Sequence, residues 1–398
     1  MYRVTELLTP WLASGAVLAV LSLGFANHRA AILSDRPGSV GWDREGAARY
    51  LDERMQAWFA NGKKLRTGQG ETVCVSCHTT VPYVLARPAL RRAMKVSGIT
   101  PQEIRLLQET TKRVESYDAH QPLYDHSDSK KKESRGTEAV LNTLILASAD
   151  AAQSRQEPSA PTQQALKRLW ETQRSDGAWD WLDFGLEPFE TVDGVYCGAT
   201  LAALAIGSTP NSSIGSTIET RAGVDSLRGY LKEKYAAQSL FNRTWLLLAS
   251  TRLNDLLTTA QRSALITEIQ GRQREDGGWS LESLGTWRWS KTSAPFRAPG
   301  ITDAALLAQS DGYATGLIVY TLRQTGLPVG QPSVSKGLQW LRTNQQHVQV
   351  GQNSWQAWRA HSLNFDRERG GEKGEPWRRM FMSDSATAFA VLALAASD

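Results

Sequence analysis

The sharpest chemical signal in the chain is the run Cys74-Val75-Ser76-Cys77-His78. Two thiols separated by two residues and followed at once by an imidazole match the attachment pattern of c-type haem. The spacing has a chemical reason: each thiol can add to one of the two haem vinyl groups, and the adjacent His78 reaches the iron from the proximal side. Zinc would need further ligands at comparable spacing, and no second Cys-x-x-Cys exists in the chain. A redox dithiol or a simple disulfide is the remaining alternative for Cys74 and Cys77. The third cysteine, Cys197, falls in an apolar stretch and reads as core.

The elements that must position this run are helical. Amphipathic, charged segments alternate with small-residue segments that are apolar nearly all round. The first kind covers Asp43–Trp58, Pro101–Glu115, Thr162–Gln173, Asp225–Ala236, Thr259–Gln273 and Val334–Gln345, and suits helices with one wet face. The second covers Thr79–Leu90, Thr137–Ala151, Thr191–Ile206, Leu240–Leu253, Gly312–Leu322 and Ser385–Ala395, and suits helices buried on most sides. In order they make six outer–inner pairs, while strand signals are scarce. Repeated pairs must stack to bury their faces, and six can close on themselves. The predicted fold is therefore all-α, an (α/α)6 toroid over residues 42–398.

Three outer segments end alike. Gln173-Arg-Ser-Asp-Gly-Ala-Trp179 is matched by Gln273-Arg-Glu-Asp-Gly-Gly-Trp279, with a looser copy through Gln345, Gly351 and Trp355. The glutamine can cap the helix end, Asp-Gly makes the turn, and the tryptophan returns to pack on the next helix. Such clips account for part of the chain's 14 tryptophans. Ala199-Thr200, Ala314-Thr315 and Ala386-Thr387 echo one another on the apolar segments.

These Gln-x3-Gly-x-Trp clips resemble the QW motifs of squalene–hopene cyclases and related terpenoid cyclases. The resemblance covers roughly residues 40–398 and implies an α/α toroid with a lipophilic cavity at its centre. The Asp-x-Asp-Asp acid of class II cyclases and the Asp-Asp-x-x-Asp magnesium motif of class I synthases are absent, and Asp193-Gly-Val-Tyr-Cys197 does not match the zinc spacing of prenyltransferases.

In a toroid the outer-to-inner turns share one rim, which would put His78 at the mouth of the cavity. Ring closure sets the sixth inner helix beside the first, so Met380 and Met382 are candidates for the far side of the iron. His120 and His126, in the loop before the second inner helix, are the others. Acids at the starts of inner helices, namely Glu138, Glu190, Asp193, Asp311 and Asp384, read first as caps. Asp311 and Asp384 are also the candidates for rim acids of raised pKa in a cyclase or transferase reading. Two long connections, Ser280–Ser310 and Gln352–Met382, bring Trp287, Trp289, Phe296, Trp358 and Trp377 toward the same rim, against a haem edge or a lipophilic ligand.

Residues 7–26 form an apolar run without a charge, broken only by Pro10. It reads as an export signal ending at Ala26, as a retained membrane anchor or, more plainly, as a buried core helix, with residues 27–41 as a linker. Export fits covalent haem, which is attached outside the bacterial cytoplasm, and places the protein in the periplasm or on the periplasmic face of the inner membrane. Lys+Arg 45 against Asp+Glu 40 gives +5, too small and too scattered for a nucleic-acid stripe. Lys130-Lys131-Lys132 reads as a solvated loop. The expectation is a mono-haem protein for electron transfer or haem-linked redox chemistry, with a redox partner protein or a lipophilic molecule as its counterpart. The alternatives are a rim-acid enzyme and a non-catalytic binding module.

Overall fold

Helix starts are written into this chain as caps. Asp43 accepts from the Gly46 amide (2.8 Å) ahead of α1 (Arg44–Asn61). Two short antiparallel strands follow, β1 (Lys64–Thr67) and β2 (Gly70–Val73), then α2 (Thr80–Ala93). A Thr100–Glu103 capping box with Pro101 in the first turn opens α3 (Pro101–Glu115). Ser127 caps α4 (Asp128–Ala152), and α5 (Ala160–Glu171) and α6 (Gly194–Ser208) come next. Beyond them lie α7 (Ile218–Lys234), α8 (Leu240–Ala249) and α9 (Thr259–Gly271), the last opened by a Thr258–Gln261 box. A single short turn, α10 (Ala304–Leu307), precedes α11 (Gly312–Gln324) and α12 (Pro332–Thr343). A second hairpin, β3 (Gln346–Val350) with β4 (Asn353–Ala357), leads to α13 (Phe381–Ala395). This computed structural model describes residues 41–68, 70–210, 218–287, 304–350, 352–364 and 376–397. The apolar run of residues 7–26, the linker up to residue 40, Trp289 and Phe296 lie outside the described residues. Among the described residues, no helix is long and apolar enough to cross a membrane.

The apolar helices form the ring. α2 packs on α4, α4 on α6, α6 on α8, α8 on α11, α11 on α13, and α13 returns to α2. The amphipathic helices stand outside: α3 and α5 lean on α4, α7 on α6, α9 on α8, α12 on α11 and α13, and α1 on α13 and α2. The result is a mainly helical α/α toroid. Its small residues are needed for close approach. At Gly316 of α11, an added Cβ would stand 2.5 Å from the Ala390 amide nitrogen of α13, so only glycine lets the two backbones come this near.

The clips lock the outer layer. Gln173 Nε2 donates to the Gly177 carbonyl (3.0 Å) and to the Gly223 carbonyl of α7 (2.9 Å). Gln273 Nε2 does the same to Gly277 and to Ser333 of α12, both at 2.8 Å. Gly177 and Gly277 turn with φ of +92° and +90°, where a side chain would be strained. Trp179 and Trp279 then bury completely, each indole N–H donating at 2.8 Å to a carbonyl of its own outer helix, Leu169 and Ile269.

The third clip departs from its expected form. Gln345 donates to Asp43 O (2.8 Å) and accepts from the Asp43 amide (2.7 Å), tying α12 to the start of α1 and closing the outer layer. The returning tryptophan is Trp358 and not Trp355: Trp358 is fully buried and its indole donates to Leu341 O (2.8 Å). Trp355 lies half-buried in β4 under the Arg49 guanidinium. The inserted β3–β4 hairpin moves the tryptophan from six residues after the glutamine to thirteen. Two of the Ala-Thr echoes also have a common task. Thr315 Oγ1 accepts from the Trp279 amide (2.9 Å), and Thr387 Oγ1 from the Trp358 amide (3.2 Å).

Two smaller expectations change as well. Lys130–Lys132 lie in the first turns of α4 and not in a loop, because Ser127 caps the helix well before its apolar stretch begins. Glu138 is consequently inside α4 and not at its start.

Candidate functional site

Cys74–Thr79 is an irregular turn between β2 and α2. Its backbone is pinned at Cys74. The Cys74 amide donates to Lys63 O (2.8 Å), and Cys74 O accepts from the Trp58 indole (2.7 Å). Ser76, one of the two spacer residues, starts the helix: its Oγ accepts from the Thr79 and Thr80 amides (both 3.2 Å), while its own amide donates to Thr80 Oγ1 (2.8 Å). Both thiols are free and buried. Burial pushes Cys74 up to about 11. It raises Cys77 too, helped by the neighbouring Glu190 carboxylate and Cys197 thiol. Two reduced thiols and an imidazole on one turn are a donor set whose chemistry fits a covalently attached haem.

His78 is held by the last helix of the ring. Phe381 of α13 stacks on its ring at 4.0 Å and 21°, and Trp58 meets it edge-on at 5.4 Å. Ser385 Oγ donates to His78 O (2.9 Å). His78 Nδ1 lies 2.9 Å from Thr79 Oγ1, which donates to Asp384 Oδ2 at 2.8 Å. Asp384 also receives the Tyr50 hydroxyl (3.0 Å), Arg54 Nε (2.6 Å) and Arg54 Nη2 (3.1 Å). Burial pushes the Asp384 carboxyl up, opposed by Arg54 and the hydroxyl donors. Burial also works against the charge on Arg54, but Asp384 raises its pKa overall. With the guanidinium fixed as a cation, a neutral Asp384 would strand a charge in the core, so the pair is held as ions.

The structure thus brings together Cys74, Cys77, His78 and Asp384. The sequence placed Met380 and Met382 near His78, but the residue on the imidazole is Phe381 between them; Met380 is half-buried and Met382 buried at the start of α13. His120 is committed elsewhere. It is buried, with Nδ1 2.8 Å from Ser116 O and Nε2 3.4 Å from Glu138 Oε1 and 3.3 Å from Arg135 Nη1. His126 is exposed just ahead of the α4 cap. Glu138 is paired with buried Arg113 (2.7 Å). Burial favours its neutral form, but Arg113, His120 and Arg135 together hold its carboxyl below the usual range.

Asp311 does cap its helix. Oδ1 accepts from the Tyr313 (2.9 Å) and Ala314 (2.8 Å) amides, and Oδ2 from the Leu281 amide (2.5 Å). Burial pushes its carboxyl up to about 6 against those three donors. The unfolded value is about 3.9, so between about pH 4 and 6 the folded chain holds a proton that the unfolded chain has released. Stability from this group is complete below about pH 4 and falls as pH rises through 6, by about 3 kcal/mol. Denaturation of wild type and Asp311→Asn at several pH values should show that slope only in the wild type; equal slopes would refute the assignment.

The ring interior is aromatic. Tyr313 lies 5.6 Å from Phe389, 6.1 Å from Phe241 and 6.0 Å from Phe189, and Trp245 meets Phe389 at 5.4 Å, all buried. Cys197 is fully buried in α6, as a core residue would be.

No known family's sequence model matches the chain, and no curated protein matches it. Two solved structures are similar to it at 12% identity. One is a polysaccharide lyase, with TM-score 0.46 over 89% of this chain and 96% of that one. The other is an unsaturated glucuronyl hydrolase named with the saccharide dGlcA-Glc-Rha-Glc, with TM-score 0.49 over 88% and 95%. Neither likeness carries an argument about chemistry, and the toroid rests on the helix packing described above.

Proposed function

We propose that this chain is a mono-haem c-type protein serving electron transfer or haem-linked redox chemistry, with Cys74 and Cys77 as the thioether residues and His78 as the proximal ligand. The observation that supports it is the turn itself: two reduced thiols and an imidazole, spaced as haem attachment requires, at the seam where the ring closes. Cys74 and Cys77 would hold the haem covalently: addition of each S–H across a vinyl double bond would exchange the S–H and the C=C π bond for one S–C and one C–H bond, with no leaving group and no oxidant needed. The iron, when bound, supplies one-electron exchange. Phe381 and Trp58 cover faces of the imidazole with apolar surface, and Trp377 packs behind both of them; such a shell favours the less charged ferrous state. The counterpart in this reading is a redox partner protein or a lipophilic molecule, met on the periplasmic side of the membrane. Rim-acid catalysis is less well supported, since Asp311 is spent on backbone donors and Asp384 on Arg54.

Intact mass and a pyridine haemochrome spectrum of the chain produced with a c-type maturation system test the proposal. One covalent haem with a two-thioether spectrum is expected, and a non-covalent or absent haem in the Cys74→Ser, Cys77→Ser double variant. An unmodified mass with no visible band in the wild type would end the haem reading.

A further inference from the structure

From the buried contacts of Asp384 we infer that Asp384 and Thr79 are positioning residues that hold the His78 proton on Nδ1 and so present Nε2 as the nitrogen that binds iron. The inference rests on the haem reading for its consequence, while the proton position is argued from the His78–Thr79–Asp384 hydrogen bonds and from the Arg54–Asp384 ion pair. A hydroxyl has a single proton. Asp384, ionised and already accepting from Arg54 and Tyr50, can only accept, so the Thr79 proton points to Asp384 Oδ2. Toward His78 the same oxygen can then offer only a lone pair, and the 2.9 Å contact requires a proton on Nδ1. In the neutral ring that leaves the lone pair on Nε2.

The relay is built from parts distant in sequence. Asp384 lies 305 residues from Thr79 and 330 from Arg54, yet all three side chains are buried. Ser385 and Phe381, on either side of Asp384 in α13, hold the His78 carbonyl and ring face. The last helix therefore sets both the orientation and the proton position of the imidazole on the first inner turn. Hydrogen bonding from the far nitrogen also makes the ligand more basic, which favours the ferric state.

The test uses the full chain labelled with 15N-histidine, in wild type, Thr79→Val, Thr79→Ser and Asp384→Asn. Thr79→Val removes the relay hydroxyl but leaves the Arg54–Asp384 pair intact, so it reports even where Asp384→Asn does not fold. Long-range 1H–15N spectra should show the His78 proton on Nδ1 in wild type and Thr79→Ser. In Thr79→Val that preference should be lost. In Asp384→Asn the amide turns a donor toward Thr79, the hydroxyl turns to His78, and the proton should move to Nε2. In the haem-loaded chain, Thr79→Val should weaken ferric relative to ferrous ligation about tenfold, a rise of about 59 mV in one-electron potential, and Thr79→Ser should restore it. Nε2–H in the wild type, or the same tautomer and potential in Thr79→Val as in wild type, would overturn the inference. A wild-type chain without haem but with Nδ1–H would remove the haem reading and uphold the relay.

Discussion

Replacing Arg54 by methionine is expected to remove about 3–5 kcal/mol of stability. Arg54 and Asp384 are 3% and 2% exposed, so neither can turn to water when its partner is lost. In Arg54→Met the carboxylate keeps only the Tyr50 and Thr79 hydroxyls, and the Trp377 carbonyl loses its donor at 2.7 Å. The carboxyl then moves further up than burial already takes it. Because a raised acid is costly only above its unfolded pKa, the defect should shrink as pH falls and Asp384 takes up a proton. Urea unfolding at neutral and acid pH measures both effects. The double variant Arg54→Met, Asp384→Leu should recover most of the loss, since a buried pair replaced by apolar groups of similar volume is often neutral. A single-variant loss below about 1 kcal/mol would mean that the pair behaves as if solvated.

Trp358→Ala should be nearly as damaging, at about 3–5 kcal/mol, while Trp355→Ala should stay below about 1 kcal/mol. Trp358 is fully buried, donates to Leu341 and stands 5.9 Å from the Trp42 ring. Its removal leaves a cavity between α12 and the ring, and an undonated carbonyl. Trp355 is only partly buried, with an arginine over its ring, a contact worth about 0.5–1 kcal/mol where water reaches it. Trp358→Phe should recover the packing but not the hydrogen bond, leaving a deficit of about 1–2 kcal/mol. Melting or urea midpoints of the three variants decide the matter. Equal losses at 355 and 358 would show that the hairpin tryptophan is also part of the clip.

The tryptophan assignment shows where sequence reasoning stops. In the first two clips the glutamine, the glycine and the tryptophan lie within seven consecutive residues, and the turn between them is set by Asp-Gly. In the third, a hairpin intervenes, and nothing local distinguishes Trp355 from Trp358. Only packing against Leu341 and Thr387 separates them. The acids divide in the same way. Asp311 reads as a cap from its place before a small-residue helix, and it is one. Asp384 reads alike, but Arg54 and Tyr50 on α1 claim it. Glu138 lost its expected place because the polar stretch from Asp128 continues the helix, and Arg113 from α3 came to meet it inside.

What was legible in the amino-acid order is what neighbouring residues impose on one another. The alternation of wet-faced and apolar segments, the capping boxes at Thr100 and Thr258, and the Gln-to-Trp turns all arise from interactions within a few residues. They were sufficient to anticipate a ring of paired helices and the Cys74–His78 turn at its first junction. What surrounds that turn was decided by ring closure. α13 comes to rest on α2 as the ring closes, and that contact brings Phe381, Asp384 and Ser385 to the His78 turn. Side chains some 300 positions apart leave no periodic trace in the chain, since their meeting is fixed by the summed geometry of every pair between them.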